Sequence, residues 1–250
     1  IILLNKYAEI KISAEFMKEH FYLGLPLVIT TLISGSAQYI DGIIVSAVYR
    51  DPGWFAWFRY GAKEFPLALM LANGLNNALL PEFSTRTQMK ETLTKIKEKS
   101  RNLMHICFPS TMAIMLIARW IYPRMFTPEF QKSADIFLLY SLLVIPRLVF
   151  PQTIIVGRKK THITMIAAII EIGLNIPLSL LMIKWGYNIV GVAFATFVVY
   201  LISKLYLIIY LWVKMKIKPS EYIPVKIFML YSFLLGLLFV LIDHRIIDIR

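Results

Sequence analysis

Residues 20–49 read HFYLGLPLVITTLISGSAQYIDGIIVSAVY, and 20–40 contains no Asp, Glu, Lys or Arg. About 20 mainly apolar residues suffice for a helix to cross a bilayer. The stretch is therefore read as a membrane span, ended by the turn signal Asp51-Pro52-Gly53. The pattern recurs at 54–81, 102–118, 136–157, 163–183, 185–213 and 227–242. Period-2 alternation is absent, which disfavours a transmembrane barrel. The expectation is an all-α integral membrane protein with about seven transmembrane helices. Composition agrees: 58% of the 250 residues are hydrophobic and 17% are charged, against about 25% charged in soluble domains. Mean hydropathy is +0.66. A disordered chain, a collagen-like fibre and an ordinary soluble enzyme are excluded.

The 27 Lys and Arg against 15 Asp and Glu give a net charge of +12. In a soluble protein that excess would suggest nucleic acid. Beside apolar spans it means basic cytoplasmic loops next to anionic lipid, with no nucleic-acid partner. Lys6, Lys11, Lys18, Arg86, Lys90, Lys95, Lys97, Lys99, Arg101, Arg158, Lys159, Lys160, Lys214, Lys216, Lys218 and Lys226 fall on one side of the spans. Arg50, Arg124, Lys132, Lys184, Arg245 and Arg250 fall on the other. The excess places the N-terminus of the chain in the cytoplasm. Residues 1–4 read as the tail of an earlier hydrophobic segment and carry no secretory-signal pattern. The chain is thus expected to be the C-terminal portion of something longer. Within 85–101, Met89, Leu93 and Ile96 recur at helical spacing among Lys and Glu. This predicts an amphipathic helix on the cytoplasmic membrane surface. The single cysteine, Cys107, is read as a buried inert thiol, and no intramolecular disulfide can form.

The order of features resembles a known family. The pieces that carry the resemblance are Tyr39-Ile40-Asp41 in the first span, Leu80-Pro81-Glu82-Phe83 before the basic segment, and the run from Gly186 to Thr196. Together they are similar to the C-terminal half of polysaccharide (O-antigen type) lipid-carrier flippases of the multidrug/oligosaccharidyl-lipid/polysaccharide exporter superfamily. The resemblance implies one lobe of a two-lobed, MATE-like transporter in the cytoplasmic (inner) membrane. It would flip undecaprenyl-diphosphate-linked oligosaccharides outward by alternating access. It also implies an N-terminal lobe, absent from this sequence, and glycan polymerase machinery as partners. On this reading, 1–18 is a cytoplasmic inter-lobe linker and 19–213 a six-helix lobe. Residues 214–250 add a cytoplasmic loop and a seventh helix. The rivals are a cation-coupled drug antiporter of the same superfamily and a non-transporting scaffold of a glycan assembly complex.

Charges within the spans are the candidate site, since each costs at least ~2.5 kcal/mol at mid-membrane unless paired or wet. Counting ~1.5 Å per residue puts Arg147, Glu171 and Lys204 at one depth, about 12–15 Å from the cytoplasmic ends. Asp41, Arg59, Lys63 and Glu64 form a second tier nearer the outer face. Arg59 and Lys63 share a helix face and would present a cationic wall to a diphosphate, unless Asp41 or Glu64 neutralises them. Arg147 is either a phosphate clamp, opened by bends at Pro146 and Pro151, or the partner of Glu171 in a structural ion pair. Lys204 either joins the cavity or snorkels to the interface. Arg119 is read as an interface anchor. Asn73, Asn76 and Asn77 are either a sugar-contacting face or interhelical hydrogen-bonding groups, with Gly74 allowing close approach. Pro26 and Pro177 are expected kinks. In the antiporter reading, Asp41 or Glu171 is a proton or sodium site. The His residues lack metal spacing, and neither a phosphate-binding loop nor a nucleophile elbow occurs. Neither an enzyme nor a cofactor is expected.

Overall fold

The computed structural model describes residues 13–84 and 89–247, apart from the side chains of 34–38 and 84. Most of the expected 1–18 linker therefore lies outside the described residues. Helix α1 runs from Ala14 to Tyr49, and the Ser13 side chain accepts the Phe16 N–H at its start. At 36 residues it is longer than a bilayer requires. It passes through Pro26 unbroken, and Thr30 donates its hydroxyl to the Pro26 carbonyl at 2.7 Å.

The second hydrophobic stretch is two helices, α2 (Pro52–Gly61) and α3 (Pro66–Leu79). Pro66 has no N–H and holds Phe65 extended, so the chain between them cannot continue as helix. The Lys63 N–H turns back to the Gly61 carbonyl at 2.7 Å. Gly61 sits against α5, where a Cβ would meet the Ser133 carbonyl at 2.5 Å.

Helix α4 covers Met89–Met125 in one piece of 37 residues. The expected surface helix is thus not separate: it is the N-terminal part of a helix that continues into the third span. Of its apolar stripe, Leu93 and Ile96 are buried by protein and Met89 is partly buried. The stripe runs on in phase through Met104, Cys107, Phe108, Met115 and Ala118, all buried.

The fourth stretch is the centre of the core and is broken twice, into α5 (Gln131–Ser141), α6 (Val144–Arg147) and α7 (Pro151–Gly157). Its two parts meet at 48°. Pro146 and Pro151 remove two backbone donors, as the sequence led us to expect. Ser100 of α4 donates to the freed Leu148 carbonyl at 2.8 Å. Helices α8 (Thr161–Lys184) and α9 (Asn188–Met215) form an antiparallel hairpin, turned at Gly186 with φ +90°. A short α10 (Pro219–Tyr222) leads to α11 (Val225–Asp243). Among the described residues, α4, α8, α9 and α11 are each long and apolar enough to cross a membrane, and the bent α5–α7 segment makes a fifth such unit.

Contacts between distant segments tie the loops to neighbouring helices. Lys159, in the α7–α8 turn, meets Glu19 of α1 at 2.7 Å, and Lys97 of α4 meets the Ser220 carbonyl of α10 at 2.6 Å. At the opposite end, Lys132 lies over the rings of Trp54 and Trp57.

Candidate functional site

The two broken spans place their irregular backbone side by side. Glu64 sits in the α2–α3 break, and Arg147 is the last residue of α6. The guanidinium gives Nε to Glu64 Oε2 at 2.7 Å and Nη2 to Oε1 at 2.6 Å, a two-pronged pair. Nη2 also lies 3.3 Å from the Tyr200 hydroxyl of α9. The side chains keep 27% and 19% of their exposure, so the pair is accessible from one side. This corrects two expectations. Arg147 pairs with Glu64 rather than Glu171, and Glu64 does not stand in an outer tier with Arg59 and Lys63. A count of 1.5 Å per residue holds only along an unbroken helix, and Pro66 breaks this one.

Two chambers flank the pair and share Glu171 and Tyr200 as walls. The larger is about 250 Å³ and carries Arg147, Glu171 and Lys204, with Asn73, Asn76, Gln152 and Ser203 among its polar lining. Lys204 therefore faces a polar chamber rather than only reaching for the interface. Asn76 accepts a hydrogen bond from Thr153 of α7, which is the interhelical role. Asn73 is exposed and lines the chamber; Asn77 is exposed and is not part of its lining. Gly74 does not serve close approach, since a Cβ there would meet nothing within 4 Å.

The smaller chamber, about 40 Å³, is walled by Asp41, Glu64, Glu171, Tyr140, Asn175 and Thr196, and no basic side chain lines it. Asp41 is 1% exposed. Its Oδ2 accepts the Thr196 hydroxyl at 2.6 Å and the Tyr140 hydroxyl at 2.8 Å. Asn175 gives its amide to the Thr196 oxygen at 3.0 Å. That leaves Asp41 Oδ1 and Asn175 Oδ1 buried without a hydrogen-bonding partner among the described residues. Buried acceptors are ordinarily satisfied, and a carboxylate oxygen together with a neighbouring amide oxygen suits a proton or one small hard cation. Neither Arg59 nor Lys63 bridges to Asp41, so the expected neutralising contact between α1 and α2 is replaced by hydroxyl donors. The Arg59 guanidinium instead lies 5.3 Å from the Tyr39 ring centre, and Lys63 is exposed. Arg119 is likewise no simple interface anchor. It holds Asp135 at 2.8 Å and donates to the Ile242 carbonyl at 2.5 Å, tying α11 to α4 and α5.

Tyr140, Asn175, Thr196 and Tyr200 were not singled out from the sequence. One signal for Asn175 was present, since it follows Glu171 by one helical turn.

A site built on helix breaks inside a bundle suits a carrier rather than a catalyst, and the comparison with known proteins agrees. Residues 2–246 match the family described as lipid II flippase MurJ. The chain belongs to the MurJ family. No curated protein matches it. Several solved structures share its fold. A MOP superfamily transporter from Pyrococcus furiosus matches with a TM-score of 0.64 and 20% identity, over 88% of this chain and 51% of that one. An outward-facing multidrug resistance MATE family transporter of the MOP superfamily matches at 0.59 and 20%, over 86% and 50%. A MATE protein in its straight conformation matches at 0.62 and 20%, over 83% and 46%. This MurJ family chain thus spans about half the length of the structures it matches. The described residues are all-α, and the chain is a multi-pass membrane protein of a flippase family.

Proposed function

We propose that the chain forms one lobe of a flippase that moves a polyprenyl-diphosphate-linked saccharide across the cytoplasmic membrane by alternating access, with its own N-terminus in the cytoplasm. The observation that carries this reading is the Arg147 guanidinium, facing a chamber that also holds Lys204 and amide and hydroxyl groups. A guanidinium fork fits a phosphate as it fits a carboxylate. Glu64 occupies the fork in the structure and would be exchanged for the diphosphate, while the amides and hydroxyls meet sugar. Arg59, Lys63 and Asn77 then belong to the side that turns toward the other lobe of the same polypeptide. The small acidic chamber at Asp41 takes the coupling proton or cation, and Glu171 links it to the larger one.

Lipid II and O-antigen units are both saccharides on a polyprenyl diphosphate, so the same fork serves either. Family membership favours lipid II over the O-antigen cargo and over drug antiport. On this reading a glycan polymerase is the partner that consumes the product. The test is reconstitution of the full-length protein in vesicles containing labelled lipid II. Outward movement of the label, with no efflux of cationic dyes, is expected. Dye efflux without lipid movement would favour the antiporter, and neither activity would favour a scaffold.

A further inference from the structure

At the basic end of the molecule, away from both chambers, the cytoplasmic part of α4 stands apart from the start of α11 and leaves a groove of about 690 Å³. Lys97 and Arg101 project into it from successive turns of α4, and Lys226 enters from the first turn of α11. Glu98 is the one carboxylate among its lining residues, so the groove keeps a net positive charge. Ile223, Val225 and Ile227 supply an apolar floor. The Lys97 ammonium donates to the Ser220 carbonyl at 2.6 Å, which holds α10 against α4 and keeps the groove open at a set width. Farther along α11, Met229, Leu230 and Phe233 stand 64%, 56% and 66% exposed, so an apolar track leads away from the bases.

Three bases above an apolar floor match an amphiphile with an anionic head. A soluble anion would leave the floor bare, and an acidic protein segment would leave the apolar track of α11 without a partner. We propose that this groove seats an anionic phospholipid of the cytoplasmic leaflet. Its phosphodiester sits among Lys97, Arg101 and Lys226, and its acyl chains lie along α11. The bound lipid joins α4 to α11 at their cytoplasmic ends, as Arg119 joins them at the other. The site is independent of the translocation chambers and of the cargo assigned to them.

The experiment measures lipid retained by the full-length protein in detergent, by native mass spectrometry, with phosphatidylglycerol and phosphatidylcholine offered together. Wild type should retain phosphatidylglycerol preferentially. A Lys or Arg near an anionic lipid contributes about fivefold in affinity. Lys97→Gln, Arg101→Gln and Lys226→Gln should therefore each lower retention about fivefold, and the triple variant more than tenfold. Lys226→Arg should keep it, Glu98→Gln should raise it, and Lys132→Gln at the opposite end should leave it unchanged. Inorganic phosphate should not displace the lipid. Equal retention of the two lipids, displacement by inorganic phosphate, or wild-type retention in the three single variants would overturn the proposal. Glu98→Gln adds a readout if the triple variant fails to fold. Detergent removes sidedness and cargo from the measurement, so failure here is separate from failure of the orientation or of the flippase reading.

Discussion

The half-buried Arg147 guanidinium and the fully buried Asp41 carboxylate both lie within the helical bundle, yet they are stabilised differently. Arg147 has a charged partner and two nitrogens in use. Among the described residues, Asp41 has neutral donors on one oxygen and no hydrogen-bonding partner on the other. A fixed ion pair needs nothing further, whereas a lone carboxylate with a spare oxygen is stable in the membrane only with a proton or cation. Asp41→Asn removes the charge and keeps the shape. It should leave the protein folded and abolish the dependence of transport on a proton or cation gradient, read as flipping rate against imposed gradient. Unchanged gradient dependence would move the coupling site elsewhere. The sequence made Asp41, Glu64, Arg147, Glu171 and Lys204 visible because a charge in an apolar run is costly. It hid Tyr140, Thr196 and Tyr200, since hydroxyls and aromatic rings are commonplace inside spans.

Among the elements, positions of apolar runs were readable from composition alone, and α8, α9 and α11 lie close to their expected bounds. Continuity was harder to read. The α4 stripe kept one phase from Leu93 to Ala118, so a surface helix and a span were one element. Pro66 and the Pro146–Pro151 pair did the reverse and cut two spans into five helices. Hydropathy averages over a window and is blind to a missing N–H. The breaks persist because side chains take over the freed backbone groups and because they border a polar cavity. Two substitutions gauge this. Gly61→Ala presses a methyl into the Ser133 carbonyl and Ile136, and should cost about 1–3 kcal/mol. Ser100→Ala strands the buried Leu148 carbonyl and should cost about 1–3 kcal/mol. Gly74→Ala, in mid-helix with nothing within 4 Å, is the control and should be stabilising by up to about 1 kcal/mol. Thermal unfolding in detergent should place both variants below wild type and Gly74→Ala at or slightly above it. An equal loss at Gly74 would mean that the packing assigned to Gly61 is not what holds α2 against α5.

For the whole molecule, orientation and transport are linked. The proposed orientation, argued from the basic excess, has Lys97, Lys159 and Lys216 on the cytoplasmic side. With Cys107 replaced, cysteines at those positions should resist an impermeant thiol reagent in intact cells. Cysteines at Asp51 and Gln131 should react. Labelling at Lys97 from outside would invert the topology and the direction of flipping with it. The central claim is that Arg147 grips cargo and is not solely a structural partner of Glu64. Either Glu64→Met or Arg147→Met alone strands one charge. The loss should be smaller than the about 3–5 kcal/mol of a fully buried pair, because the side chains remain 27% and 19% exposed. Replacing both by Met removes the pair and should restore folding. The decisive measurement is lipid II flipping by this double variant in the full-length protein, reconstituted at matched abundance. A folded protein that no longer flips is the predicted result. A folded double variant that flips at the wild-type rate would contradict the account.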